Sequence, residues 1–297
     1  MAKQRPRARL IYNPTSGKEI MRNVLADVLD ILEQGGLETS CHMTKNIAGD
    51  ATRAAAEAAN EGFDYVIAAG GDGTVSEVVN GLASASRRPV LGIIPAGTSN
   101  DLAKSLNIPR DIKAACKQIV KFQTVPLDIG EADGRYFVNI AGCGRLTEIT
   151  YEVPSKLKTM LGQLAYYVKG LEKLPMLRPI HIEVEARNFA YSGKAMLCLI
   201  ANSNTVGGFE KLAPKARLDD GLLDVIIVKQ VSLPHLIRLA TAALRGEHIA
   251  SDRVVYYQTD CLRVHSVDHV DLNFDGEYGG PLPRTFKACK HHLKVLI

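Results

Sequence analysis

Residues 70–74, Gly-Gly-Asp-Gly-Thr, set three glycines around one carboxylate, Asp72. An apolar run leads in from Tyr65 and a helical pattern leads out. Glycines tolerate φ > 0 and let backbone N–H groups approach a ligand closely. With a helix N-terminus behind them, such groups form a site for phosphate. Gly70, Gly71, Gly73, Thr74, Val75 and Ser76 are the candidate phosphate cradle, acting through N–H and hydroxyl groups. Thr74 and Glu77 have capping-box spacing, with Thr74 as N-cap. A turn that merely docks a helix is the alternative, but it requires neither three glycines nor a central carboxylate. Two common phosphate loops are excluded. The stretch from Tyr12 to Glu19 lacks the first glycine of a Walker A loop and has Glu19 where Ser or Thr should bind Mg²⁺. Gly71-x-Gly73-x-x-Ser76 fails the dinucleotide fingerprint at its last position.

Two further carboxylates, Asp101 and Asp128, follow a glycine-rich turn or an apolar strand. With Asp72 they are hard oxygen ligands suited to Mg²⁺ held partly through water. Helix capping is the competing explanation for Asp101, and a solvated strand end for Asp128.

The elements that must position these groups can be read from the pattern. Strands are expected near 7–12, 38–43, 64–70 and 90–95, with helical periodicity over 18–35, 47–61 and 74–86. That alternation predicts an α/β domain with a parallel sheet, whose ligand site lies beyond the strand C-termini. After residue 130 a helical stretch near 155–173 precedes short β-patterned runs. Val270, Leu272 and Phe274 alternate with Asp271, Asn273 and Asp275, as in a half-buried strand. The second half is expected to be a mainly antiparallel β-sandwich. The expected division is 1–130 with 285–297 returning, and 131–284.

The GGDGT loop occurs in series with Asn13-Pro14-Thr15-Ser16-Gly17, with Pro95–Ala103 (PAGTSNDLA), and with Leu127-Asp128-Ile129-Gly130. Phe209–Pro214, Leu218–Val225 and Asp275-Gly276-Glu277 follow. This ordered set, spanning nearly the whole chain, resembles the diacylglycerol kinase catalytic-domain superfamily, and most of all its soluble bacterial lipid kinases. The resemblance implies transfer of the γ-phosphate of MgATP to the hydroxyl of diacylglycerol, with ATP and Mg²⁺ as the required small molecules. Other lipid alcohols (a sphingoid base, a ceramide-like lipid, phosphatidylglycerol) are alternatives; NAD kinase, which shares GGDGT, and an inactive binding module fit less well.

Residue roles carry over position by position. The resemblance implies nucleotide contacts from Thr98 and Asn100, and a carboxylate network of Asp72, Asp101 and Asp128. It makes Glu277 the general base, where an exposed hairpin carboxylate is the bland alternative. Asp220, with the carbonyls of Arg217 and Leu222, resembles a second, structural metal position, or else a plain Asp-Gly turn. Asn13, Ser16 and Gly17 are expected near the phosphates. Thr44 either touches the nucleotide or simply ends a strand, and Lys18 is either a point charge on phosphate or a first-turn helix lysine. Ser99 and Leu102 depart mildly from the motif. Arg145 and Leu146 depart at a position that bears on the acceptor.

Composition narrows the partners. Net charge is +4 over 297 residues, there is no Trp and aromatics are 6%, which argues against nucleic acid and fits an anionic substrate or membrane surface. The six cysteines lack metal-ligand spacing and read as reduced cytosolic thiols. No signal peptide or spanning segment is expected. The chain is therefore read as cytoplasmic and transiently membrane-associated; Leu157, Leu161, Leu164, Val168 and Leu171, edged by lysines, form a stripe that is either buried or membrane-facing. The sequence leaves a homodimer open.

Overall fold

The computed structural model describes residues 5–17, 19–45, 47–144, 178–207 and 209–297. The chain divides into two compact units, Met1–Leu127 with His291–Ile297, and Asp128–Lys290.

In the first unit, β1 (Arg7–Tyr12), β2 (Glu38–Met43), β3 (Tyr65–Gly70) and β4 (Val90–Pro95) form a parallel sheet ordered β2-β1-β3-β4. Helices α1 (Ile20–Gln34), α2 (Asp50–Asn60) and α3 (Asp72–Ala83) connect them, and α4 (Asp101–Ser105) and α5 (Ile112–Ile119) follow β4. Each strand lies within a residue of its expected place. β3 and β4 are buried on both faces, which explains their nearly continuous apolar runs. Small residues bring α2 against α3: a Cβ on Gly81 would lie 2.2 Å from the Thr52 carbonyl oxygen. The core gathers Leu10, Ile67 and Ile94 with Val28 and Leu32 of α1.

Register sends the loops out together. Tyr12 pairs with both Met43 and Ala69, and Gly70 pairs with Pro95. All four loops therefore leave the same edge of the sheet.

The second unit is mainly antiparallel. After β5 (Thr124–Ala132), β6 (Arg135–Phe137) and β7 (Ile140–Cys143) come β8 (Ile180–Ala186), the long β9 (Phe189–Ala201) and β10 (Leu223–Lys229). α6 (Leu233–Ala243) leads to β11 (Val254–Thr259), β12 (Cys261–Ser266), β13 (Asp271–Phe274), β14 (Glu277–Pro281) and β15 (Arg284–Leu296), whose residues from His291 on belong to the first unit. β9 pairs with β8 through its first half and with β7 and β10 through its second. Phe137, Phe274 and Phe286 meet at ring-centroid distances of 5.7–6.4 Å in its core. Gly130 is required beneath them, since a Cβ there would lie 2.0 Å from the Phe137 ring. The helical stretch expected near 155–173 and the Arg145-Leu146 departure lie outside the described residues, as does Lys18.

Candidate active site

Three loops at the C-terminal edge of the parallel sheet are packed backbone against backbone. A Cβ on Gly97 would stand 2.4 Å from Gly71 Cα, and one on Gly17 (φ 54°) would stand 2.2 Å from the Ala96 carbonyl oxygen. Only glycine allows either approach. Ladder bonds continue into the loops: Asn13 N–H donates to Ala69 O at 3.0 Å, Ala96 N–H to Gly70 O at 2.8 Å and Thr44 N–H to Tyr12 O at 2.9 Å. The structure thus brings Asn13, Ser16, Gly17, Thr44, Gly70–Ser76 and Thr98–Asp101 to one edge of one unit.

Asp72 holds the arrangement together. Its Oδ2 accepts the Asn100 N–H at 2.9 Å and its Oδ1 accepts the Asp101 N–H at 2.6 Å. One carboxylate therefore binds the two N–H groups that open α4, latching the second glycine loop onto the first. Burial pushes the Asp72 carboxyl above its ordinary value, against the pull of these N–H groups. Each oxygen takes one of these two donors, which leaves lone pairs for a hydrated cation.

The expected capping box does not form. Gly71, in extended conformation, is the N-cap of α3, Thr74 lies inside the first turn, and Glu77 Oε2 instead accepts the Ala51 N–H at 2.9 Å. Thr74 packs over the end of β3, its Oγ1 2.5 Å from where a Gly70 Cβ would be. Gly73 is the opposite case: it is exposed and a Cβ there would meet nothing within 4 Å. The helix end, with its first N–H groups unpaired within the helix, faces open space at this glycine.

The side chain of Asn100 closes its own loop. Its Oδ1 accepts the Gly97 N–H and its Nδ2 donates to the Gly97 carbonyl, both at 2.9 Å, while its backbone sits in the left-handed region at φ 53°. Asn13 does similar work, accepting both the N–H and the hydroxyl of Thr15 at 2.9 Å. Thr98 is exposed, and its carbonyl accepts from Arg110 at 3.2 Å. Thr44 is buried where β2 ends. Asp101, also buried, is the first residue of α4 rather than its N-cap.

Asp128 is the first residue of the second unit and is fully buried. Its N–H donates to Leu218 O at 2.7 Å, its Oδ2 accepts the Gly221 N–H at 2.6 Å, and its carbonyl accepts from Asn202 at 2.9 Å. It anchors the Leu218–Gly221 loop, so the solvated strand end is ruled out. Within that loop Asp220 Oδ1 accepts the Leu222 N–H at 2.9 Å, which is an Asx turn. The Arg217 side chain pairs with Asp219 at 3.0 Å. No group of three His, Cys, Asp or Glu side chains that could hold a metal is found among the described residues; a site built on one carboxylate, carbonyls and water needs no such group.

Glu277 opens β14 as an exposed residue. It follows a tight turn in which Asp275 (φ 50°) and Gly276 (φ 96°) both have positive φ, and Phe274 pairs with Glu277 across it. The turn is fixed by Asp275. Its Oδ2 accepts the Val138 N–H at 2.7 Å, and its Oδ1 accepts those of Asn139 and Ile140 at 2.9 Å. The Asp275 clamp went unrecognised in the sequence, where Asp-Gly announces a turn but not three partners some 135 residues away. Asn273, expected to face solvent by alternation, is buried and accepts the Gly276 N–H at 2.7 Å.

Comparison with known proteins agrees with this layout. The family described as Diacylglycerol kinase catalytic domain matches residues 7–132, and the YegS C-terminal NAD kinase beta sandwich-like domain matches 148–297. The diacylglycerol kinase of Bacillus subtilis (strain 168) is 54% identical over 292 residues, covering 98% of this chain and 96% of that protein. The one from Staphylococcus saprophyticus is 46% identical over 291 residues, covering 98% and 95%. A crystal structure of a diacylglycerol kinase from Bacillus anthracis str. Sterne superposes with a TM-score of 0.83 at 27% identity, covering 99% of this chain and 98% of that one. The chain belongs to the diacylglycerol kinase family, in its two-domain form with a catalytic domain and a C-terminal β-sandwich-like domain.

Proposed function

We propose that the protein is an ATP-dependent lipid kinase that phosphorylates the hydroxyl of diacylglycerol, giving phosphatidate and ADP. The observation that carries this reading is the three-loop arrangement latched by Asp72, in a chain 54% identical to a diacylglycerol kinase. Phosphoryl transfer needs charge neutralised on the triphosphate, in-line positioning and removal of a proton from the attacking hydroxyl. The N–H groups of residues 71–74, with the Thr74 and Ser76 hydroxyls, supply the first of these, and Thr98 orients the nucleotide. Asn100 shapes the loop that presents Thr98.

Mg²⁺ would be held by Asp72 and Asp101, whose oxygens suit it, and would neutralise phosphate charge. Asp220 with the carbonyls of Arg217 and Leu222 is the proposed structural cation site, its turn fixed from behind by Asp128. Glu277 is the proposed general base. As the acceptor oxygen bonds to the γ-phosphorus and the bond to ADP breaks, the hydroxyl proton passes to the Glu277 carboxylate.

No helix among the described residues is long and apolar enough to cross a membrane, and we propose that the enzyme meets its lipid transiently at the bilayer surface. Glu277→Gln tests the chemical assignment. It should lower kcat at least about a hundredfold, the scale of general-base contributions, with ATP affinity kept. Near wild-type turnover by the purified variant would remove Glu277 from the role.

A further inference from the structure

The opposite edge of the parallel sheet, where β1 and β3 begin, carries a cavity of about 810 Å³ that the mechanism does not use. Arg5, Arg7 and Arg87 line it, with Asp64, Tyr65 and Phe122. Three arginines and one carboxylate thus line it. Asp64 binds Arg87 at 3.2 Å through Oδ1 and the Arg7 N–H at 2.9 Å through Oδ2. The Arg7 guanidinium lies 4.2 Å over the Phe63 ring and donates to the Glu61 carbonyl at 3.2 Å. The Glu61 carboxylate is engaged by Arg9 at 3.2 Å. Arg5 is exposed and has no ion pair among the described residues.

A second observation points to a ligand. Phe122 follows α5 with φ 56°, a conformation that a bulky side chain rarely adopts. There it shows 38% of its surface to solvent, its ring 5.6 Å from that of Tyr65 and tilted by 51°. An exposed aromatic beside Tyr65 and an arginine with no ion pair offers an anion with an apolar body both a charge and a flat contact.

We propose that this cavity is a second binding site, for a phosphomonoester whose flat or apolar part rests on Phe122 and Tyr65. Guanidinium groups match phosphate oxygens in pairs, which a lysine cannot do. The same chemistry is offered by a nucleoside monophosphate and by a phosphorylated lipid headgroup. Six-residue strands separate the two edges of the sheet, about 20 Å, so ligand here does not compete with the glycine loops.

The test is calorimetric titration of the full chain, with a non-hydrolysable ATP analogue at saturation to occupy the glycine-loop site. The probes are inorganic phosphate, AMP and a short-chain phosphatidate below its micelle concentration. Saturable binding of AMP or phosphatidate is expected, weakened about tenfold or more by Arg5→Gln with Arg87→Gln, with basal turnover unchanged. Phe122→Gly, which suits the positive φ, should weaken the same probes while sparing inorganic phosphate. Preference for AMP assigns the nucleotide source, and preference for phosphatidate the lipid source. No saturable binding by the wild type, or undiminished affinity in the double variant, overturns the proposal. Should the double variant fold poorly, Arg5→Gln alone decides the matter by the same loss or retention of affinity, because that exposed side chain has no ion pair to lose.

Discussion

Removing the Asp72 carboxylate should unlatch one glycine loop from the other, and the size of the effect follows from its two bonds. The Asn100 and Asp101 N–H groups, at 2.9 and 2.6 Å, both lose their acceptor in Asp72→Ala. Hydrogen bonds to a charged group contribute about 1.5–3 kcal/mol each. Part of that is offset because the variant no longer desolvates a carboxylate, a cost visible in the raised Asp72 pKa. The net loss expected for local opening of residues 97–105 is therefore about 2–4 kcal/mol. Asp72→Asn keeps one acceptor and turns an amide N–H₂ toward the other N–H, so about 1–2 kcal/mol is expected. Hydrogen exchange reads this directly, since each 1.4 kcal/mol is about a tenfold change in protection. The Asn100 and Asp101 amides should lose on the order of ten- to a thousandfold in Asp72→Ala, and less in Asp72→Asn, with ATP affinity falling in the same order. If Asp72→Ala abolished turnover while those amides kept their protection, the latch would be wrong and Asp72 would act on the cation alone.

Asp275→Asn should leave the Val138 N–H facing a donor, lower the stability of the second unit by about 1–3 kcal/mol, and reduce kcat with little change in the KM for ATP. An unchanged kcat would show that the clamp does not position Glu277. Burial, opposed by the Tyr256 hydroxyl, pushes the Asp224 carboxyl up to about 6 from an ordinary 3.8. Between these values the folded chain holds a proton that the unfolded chain has released. Stability should thus fall as pH rises from about 4 to about 6, by about 3 kcal/mol, and level off above. The urea midpoint measured across that range should lose this slope in Asp224→Asn; a slope that persists would place the titration elsewhere.

The parallel sheet was legible because β3 and β4 are buried on both faces, so YVIAAG and VLGIIP stand out as apolar runs ending in glycine or proline. The loops were legible for the same reason that they work, since Gly17, Gly71 and Gly97 mark close backbone approaches. What local spacing could not give was the destination of each carboxylate. Thr74 and Glu77 have the right separation for a capping box, but Gly71 in extended conformation caps the helix, and Glu77 reaches another helix. Asp72 turns to residues 28 and 29 positions away. Asp128, after an apolar run, is fully buried, with its Oδ2 on the Gly221 N–H 93 residues on. Such contacts are set by tertiary packing, and no periodicity announces them.

The proposed activity itself is tested most directly with radiolabelled MgATP and the purified protein. Diacylglycerol, a sphingoid base, a ceramide and phosphatidylglycerol would be presented in mixed micelles, with NAD as a separate acceptor. Labelled phosphatidate from diacylglycerol, formed at least about a hundredfold more slowly with Glu277→Gln, is the predicted result. Labelled NADP⁺ with no labelled lipid would contradict the account.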